Sequence, residues 1–250
     1  MRRFYALIVA ALAITFVMGA NSLIAQPQAA DSMTEAQVEQ IVEKMLRQRP
    51  ELVIEALEAY KAREEAAEKE RQKQQLSVSK GELFQKESDP FIGNADGAVT
   101  IVEFFDYRCG YCKRVLDDVV ALADENSDLK IVFKEFPILG EQSVLAARVS
   151  LAVNLVNPDL YGEFHNRAMS HRGAMDENAL LGIVTAIGGD SAAVKARMED
   201  PQIASTIQKN YRLADQLGIR GTPAFIIGDT IVPGAASKSV LETLIEDQRG

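Results

Sequence analysis

The chain has two cysteines, Cys109 and Cys112, both in the stretch VEFFDYRCGYCKRV. Such a pair can exchange electrons, grip a metal ion or sit inertly in a core. A closed zinc site needs two further ligands. No third cysteine exists, and the only histidines, His165 and His171, lie far downstream, so no closed zinc site and no metal ligands within one chain are expected; a copper(I) or zinc site shared across an oligomer is the alternative that stays open. A disulfide between neighbours this close restrains the unfolded chain little, because the loop it closes is tiny. Stability is a poor reason for the pair and chemistry a better one. At the start of a helix, the first sulfur meets unpaired backbone N–H groups that favour a thiolate. The second lies one turn further in, close enough to open or close a disulfide.

Compartment decides whether that chemistry is useful, and the N-terminus speaks to it. Arg2 and Arg3 precede an uncharged run from Phe4 to Ala20, with small residues around Ala20, Ser22 and Ala25. This order reads as a signal peptide over residues 1–25. The competing reading is a membrane anchor, since the run approaches a spanning length. Either way the remainder is exported, which in a bacterial cell means the periplasm. The net charge of -9 argues against nucleic-acid binding, which calls for a basic face.

The elements that must position the thiols can be read from periodicity. AVTIVEFF, Ala98 to Phe105, has the composition of a buried strand. The spacing from Cys112 to Glu125 is helical, and LKIVFKEFP, Leu129 to Pro137, reads as a second strand. Strand, Cys-containing turn, helix and strand make a βαβ unit with a parallel pair. Residues 143–200 read as helices broken at Asn157-Pro158, His171-Arg172-Gly173 and Gly188-Gly189. A helix from Ile203 to Leu217, short strands at Ala224–Ile227 and Thr230–Val232, and a helix from Ser237 to Asp247 complete the chain. Phe104, Phe105, Phe133 and Phe136 read as core. Tyr107 and Tyr111 flank the cysteines and are candidates to line a peptide groove, local packing being the alternative for Tyr107.

Upstream, Val38, Ile41, Val42, Met45 and Leu46 recur at helical steps, and Thr34 with Gln37 resembles a capping pair. Pro50 suits the first turn of a second helix with a stripe of Leu52, Val53, Ile54, Leu57 and Tyr60. The run from Lys61 to Gln75 consists of good helix formers with mixed charge. Two readings stand for this segment: a hairpin or stalk beside the main domain, or an arm over residues 31–75 that joins copies of the chain. Ser77 to Gly97 reads as a hinge followed by a loop.

The strand VEFF running into CGYC, with a downstream GTP leading into another strand, resembles the thioredoxin superfamily. Within it the chain resembles the DsbA-like thiol–disulfide oxidoreductases over about Ala98 to Asp247. The helical N-terminal arm is similar to that of the ScsC proteins and of DsbA-like outer-membrane antigens, with Arg49 where the latter have asparagine. The resemblance implies an α/β thioredoxin fold with a helical insertion over about 138–202. It divides the chain into a signal peptide (1–25), an arm (26–80) and a catalytic domain (81–250). It also implies roles. Cys109 would be the exposed nucleophile and Cys112 the buried resolving thiol. Gly110 and Tyr111 would help set redox poise and touch substrate. Pro223 would be a cis-proline preceded by Thr222, its backbone beside the substrate strand. Glu103 would be a buried acid assisting proton transfer; its alternative is a charge on the less buried end of a strand.

No cofactor is expected beyond the Cys109–Cys112 disulfide. Strong oxidants of this family resemble Cys-Pro-His-Cys, whose histidine favours the reduced form. Gly110-Tyr111 and Thr222 resemble the disulfide isomerases instead. The expected function is therefore isomerase or reductase more than primary oxidase. The expected clients are unfolded or misoxidised exported proteins, with a membrane redox partner of the DsbD/ScsB or DsbB type. The competing function is a copper(I)-binding or copper-resistance scaffold that uses the same cysteines.

Overall fold

In the computed structural model, residues 33–84 and 88–250 are described; the expected signal peptide lies outside them. The Thr34–Gln37 pair closes as a capping box: the Gln37 N–H donates to Thr34 Oγ1 at 3.4 Å and the Thr34 N–H to Gln37 Oε1 at 2.8 Å. It starts α1 (Glu35–Gln48). After the break at Arg49-Pro50, α2 runs from Glu51 to Phe84. The chain divides into two compact units, Met1–Tyr60 and Lys61–Gly250.

In the first unit most apolar residues of α1 and of the start of α2 face solvent, Ile41, Leu57 and Tyr60 among them, while Leu52 is half-buried. Among the described residues, none of α1 is buried.

In the second unit, sequence expectation and structure differ at the expected hinge. α2 continues through Ser77 to Phe84 because Leu76 and Leu83, seven residues apart and both 0% exposed, pack against the sheet. Gly81 lies within this turn at a helix cost of about 1 kcal/mol, which burial of two leucines offsets at roughly 2 kcal/mol each. Lys134 of the sheet ties down the helix end by donating to the Glu82 carbonyl and to Asp89.

A five-stranded sheet follows, ordered β1-β3-β2-β4-β5. Its strands are β1 (Phe91–Gly93), β2 (Val99–Phe105), β3 (Leu129–Glu135), β4 (Ala224–Ile227) and β5 (Thr230–Pro233). β2 and β3 run parallel, and every other pairing is antiparallel. The parallel pair is joined by α3 (Gly110–Glu125), as the βαβ reading requires. β1, three residues in the expected loop, was not anticipated; it is too short to carry an alternating pattern.

Between β3 and β4 come α4 (Glu141–Val156), a 3-10 turn (Pro158–Leu160), α5 (Tyr161–Ser170), α6 (Glu177–Ala186), α7 (Ser191–Arg197) and α8 (Pro201–Gln216). Asp176, Asp190 and Asp200 cap the N-termini of α6, α7 and α8. α9 (Lys238–Arg249) closes the chain. Alternation along the strands splits the core. Ile101 and Phe105 face a layer of α3, α4, α5 and α9, whereas Val102 and Phe104 face α2 and α8. This is the thioredoxin fold with an inserted helical domain that the sequence led us to expect.

Candidate active site

β2 is the central strand, paired with β3 on one side and β4 on the other. It carries Glu103 opposite Phe133 and Phe225. Glu103 is 3% exposed, so it is not a charge on a less buried strand end. Burial first, and then the charge of Cys109, pushes its carboxyl up to about 8.

The chain leaves β2 through Asp106, Tyr107 and Arg108, and each residue of this turn is anchored. The Asp106 carboxylate accepts the N–H of Arg108 at 2.8 Å and of Leu139 at 3.0 Å, and its carbonyl accepts the Cys109 N–H at 3.0 Å. The Tyr107 hydroxyl donates to Ser150 Oγ of α4 at 2.8 Å and lies 3.2 Å from His165 Nδ1 of α5. The Arg108 guanidinium donates to the Leu139 carbonyl at 2.7 Å. Tyr107 is therefore a buried packing residue and lines no groove. His165 sits among Phe105, Phe133 and Tyr161, where burial holds it down to about 3 and so neutral.

Cys109 caps α3 with an extended backbone (φ -71°, ψ 117°). Its Sγ lies 3.2 Å from the carbonyl oxygen of Thr222, which is 113 residues away in sequence. The Thr222–Pro223 peptide bond is cis, and the Pro223 carbonyl accepts the Gly234 N–H at 2.8 Å. The fold thus brings Cys109, Cys112, Thr222 and Pro223 together, with Glu103 behind them. Cys109 was expected to be exposed, yet only 6% of its surface is open, because the cis-proline loop covers one side of the sulfur. Gly110 and Tyr111 form the first turn of α3 and face solvent, Tyr111 at 57% exposure. Its ring lies 4.9 Å from the Arg114 guanidinium carbon.

The two thiols have opposite acidity. Cys109 is lowered to about 5, foremost by the hydrogen bond from Cys112. Burial opposes this, while Thr222 and the backbone N–H groups of Cys112 and Tyr111 add to it. Thr222 serves both protonation states: its carbonyl accepts from the thiol, and its hydroxyl can donate to the thiolate. Cys112, 1% exposed, is pushed far above its ordinary value by burial, by its bond to Cys109 and by Glu103. At neutral pH the site therefore holds a nucleophilic thiolate beside a proton-retaining thiol.

Asp106 is the site residue the sequence reading passed over. A visible signal existed: an aspartate directly after a buried strand is an Asx-turn former, suited to fix the backbone that follows.

A DSBA-like thioredoxin domain matches residues 100–246. The thiol–disulfide exchange protein α-DsbA2 of Wolbachia pipientis is 33% identical, covering 72% of this chain and 97% of that one, with a TM-score of 0.68. Proteus mirabilis ScsC in a compact conformation is 28% identical, covering 86% of this chain and 98% of that one, with a TM-score of 0.64. Disulfide bond formation protein D of Bacillus subtilis is 25% identical over 172 residues, 64% of this chain and 76% of that protein. With the domain match spanning more than half its length, the chain belongs to the DSBA-like thioredoxin family of thiol–disulfide oxidoreductases.

Proposed function

We propose that this chain is an exported, periplasmic thiol–disulfide oxidoreductase that reshuffles or reduces disulfides of unfolded or misoxidised proteins. One observation carries the reading: an acidic thiol and a proton-retaining thiol stand one helical turn apart beside a cis-proline. In the reduced form the Cys109 thiolate attacks one sulfur of a client disulfide. A mixed disulfide forms and the other client sulfur leaves as thiolate. A client thiolate then displaces Cys109, which completes an isomerisation. Alternatively, Cys112 attacks the Cys109 sulfur, leaving the client reduced and the pair oxidised. That second route requires Cys112 to lose its proton, and Glu103, poised to about 8 and electrostatically coupled to Cys112, is the group to receive it. Exposed Tyr111 and Leu139 offer apolar contact for an unfolded client. Electrons taken from the pair in reduction return from a membrane partner of the DsbD/ScsB type.

A second reading, oxidase, is favoured by the heightened acidity of Cys109. A stabilised thiolate favours the reduced pair and makes the disulfide more oxidising; recharging would then come from a DsbB-type partner. Thiol trapping in the intact periplasm separates the two. A mostly reduced pair supports isomerase or reductase, and a mostly oxidised pair supports oxidase.

Cys112→Ser tests exchange itself, since the variant accumulates client mixed disulfides through Cys109. Loss of stoichiometric copper(I) binding with no trapped client overturns exchange in favour of a copper scaffold. The solvent-exposed apolar stripe of α1 and early α2 supports homo-oligomerisation through the arm. Leu76 belongs to the core of the catalytic unit, so the truncation that tests this ends at Tyr60 rather than at residue 75. The remaining chain is expected to fold as a monomer by light scattering, and an unchanged oligomeric mass contradicts the assignment.

A further inference from the structure

Four cations gather beside the reactive sulfur from three separate segments. Arg108 precedes Cys109 in the turn after β2, Lys113 and Arg114 lie near the start of α3, and Arg172 follows the end of α5. Arg108, Arg114 and Arg172 are exposed and Lys113 is half-buried. Elsewhere exposed arginines meet carboxylates, as Arg167 does at Glu163 and Arg220 at Asp215. Three of the four near Cys109 are held by neutral groups instead. The Arg108 guanidinium donates to the Leu139 carbonyl at 2.7 Å, and Lys113 Nζ to the His171 carbonyl at 2.6 Å. The Arg114 guanidinium carbon lies 4.9 Å from the centre of the Tyr111 ring. Their positions are thus fixed while their charges stay uncompensated. The carboxylate beneath them, Asp106, is buried and accepts the backbone N–H groups of Arg108 and Leu139. Lys113 and Arg172 also oppose one another: partial burial, and then the Arg172 charge, lower the Lys113 ammonium from its ordinary value.

We propose that Arg108, Lys113, Arg114 and Arg172 select client segments with acidic residues next to the cysteine that bonds to Cys109. The inference rests on the exchange reading above and adds a charge preference to it. Like charges held close together without a counter-ion are relieved by an incoming anion, and a client carboxylate supplies one. Guanidinium groups suit that role because their fork of N–H donors matches a carboxylate. Single exposed pairs contribute little, but four cations acting on one segment steer its encounter with the sulfur. Screening sets their reach. The Debye length is about 8 Å in physiological salt, and an extended chain advances about 3.3 Å per residue. Acids within about two or three residues of the client cysteine therefore feel the cluster, and more distant ones do not. The chain as a whole carries a net charge of -9, so its bulk repels the same segments and the attraction is local to the site.

The test uses the full chain carrying Cys112→Ser and two synthetic peptides, each with one cysteine blocked as its 2-pyridyl disulfide. One peptide flanks the cysteine with glutamates and the other with lysines. The Cys109 thiolate attacks the peptide sulfur, the peptide–Cys109 disulfide forms, and 2-thiopyridone leaves. Rates are normalised to those of 2-mercaptoethanol with the same peptides, which removes the peptides' own effect on an attacking thiolate. At low salt the acidic peptide is expected to react at least about tenfold faster than the basic one. Near 1 M salt, where the Debye length is about 3 Å, the ratio is expected to approach one. Arg114→Glu with Arg172→Glu is expected to bring the low-salt ratio to one or below, and Arg114→Gln with Arg172→Gln to an intermediate value. Melting curves check both double variants, and the salt series on the parent stands without them. A parent ratio near one at low salt, a ratio that salt leaves unchanged, or one that the folded double variants retain overturns the inference while exchange stands. No release of 2-thiopyridone from either peptide overturns the exchange reading as well. If the chain instead sediments with phosphatidylglycerol vesicles through Arg114 and Arg172 and shows no preference between peptides, the cations face a membrane surface and the inference fails.

Discussion

Cys109 and Cys112 sit one turn apart at the start of α3, yet their surroundings divide them sharply. Cys109 stands at the helix end, where backbone N–H groups point at it, Cys112 donates to it and Thr222 lies alongside. Cys112 is one turn in, sealed from water and facing the Glu103 carboxyl. The same atom type becomes a thiolate in one place and keeps its proton in the other. Position along the helix and access to water make that difference.

The strongest challenge to this contrast is to remove each sulfur in turn. Cys109→Ala is expected to leave only background exchange and a Cys112 that alkylates slowly at pH 7. Cys112→Ala should leave a fast-alkylating Cys109, although one with a higher titration midpoint, since its largest acidifying contact is gone. Comparable alkylation rates for the two single-cysteine variants would erase the asymmetry. A smaller effect is expected at Glu103. Glu103→Gln keeps the shape but cannot take a proton, so resolution of mixed disulfides by Cys112 should slow by about a hundredfold. The parent's rise in that rate through about pH 8 should disappear with it. A parent-like pH profile in the variant would remove Glu103 from the relay.

The smallest effect is on stability. The folded Cys109 releases its proton at about 5 and the unfolded one near its ordinary 9.0. Between these values the unfolded reduced chain binds more protons, so stability rises with pH. That contribution is fully present above the unfolded value and is lost as pH falls through about 5. Glu103, raised from 4.5 to about 8, acts in the opposite sense in both redox forms, though less in the oxidised one, where the Cys109 charge is absent and burial alone raises it. The difference in melting temperature, reduced minus oxidised, is therefore expected to grow by up to about 10 °C from pH 5 to pH 8, at about 1.4 kcal/mol per pH unit less the part that Glu103 offsets. A flat difference contradicts the heightened acidity of Cys109.

How much of this the residues disclosed follows the same divide between local and long-range order. The parallel βαβ unit was legible because VEFF and LKIVF are compact apolar runs around a helical repeat. The helix breaks at Asn157-Pro158 and Gly188-Gly189 were legible because proline and glycine act locally. The length of α2 was not, because Ser77 and Gly81 are polar or flexible in isolation and only the sheet beneath Leu76 and Leu83 keeps them helical. The burial of Tyr107 depends on Ser150 and His165, more than forty residues away. The approach of Thr222 to Cys109 likewise spans 113 residues, and resemblance, not periodicity, pointed to it. Why Cys109 is so acidic lay beyond the pattern Cys-x-x-Cys, since it depends on which sulfur donates to which.

The central claim is that asymmetry, and titration of the reduced chain by the ultraviolet absorbance of its thiolates measures it most directly. One thiolate is expected to appear with a midpoint of about 5, with no second transition below the ordinary cysteine range. Two thiolates appearing together near 9, or an acidic transition that survives Cys109→Ala, would contradict the account.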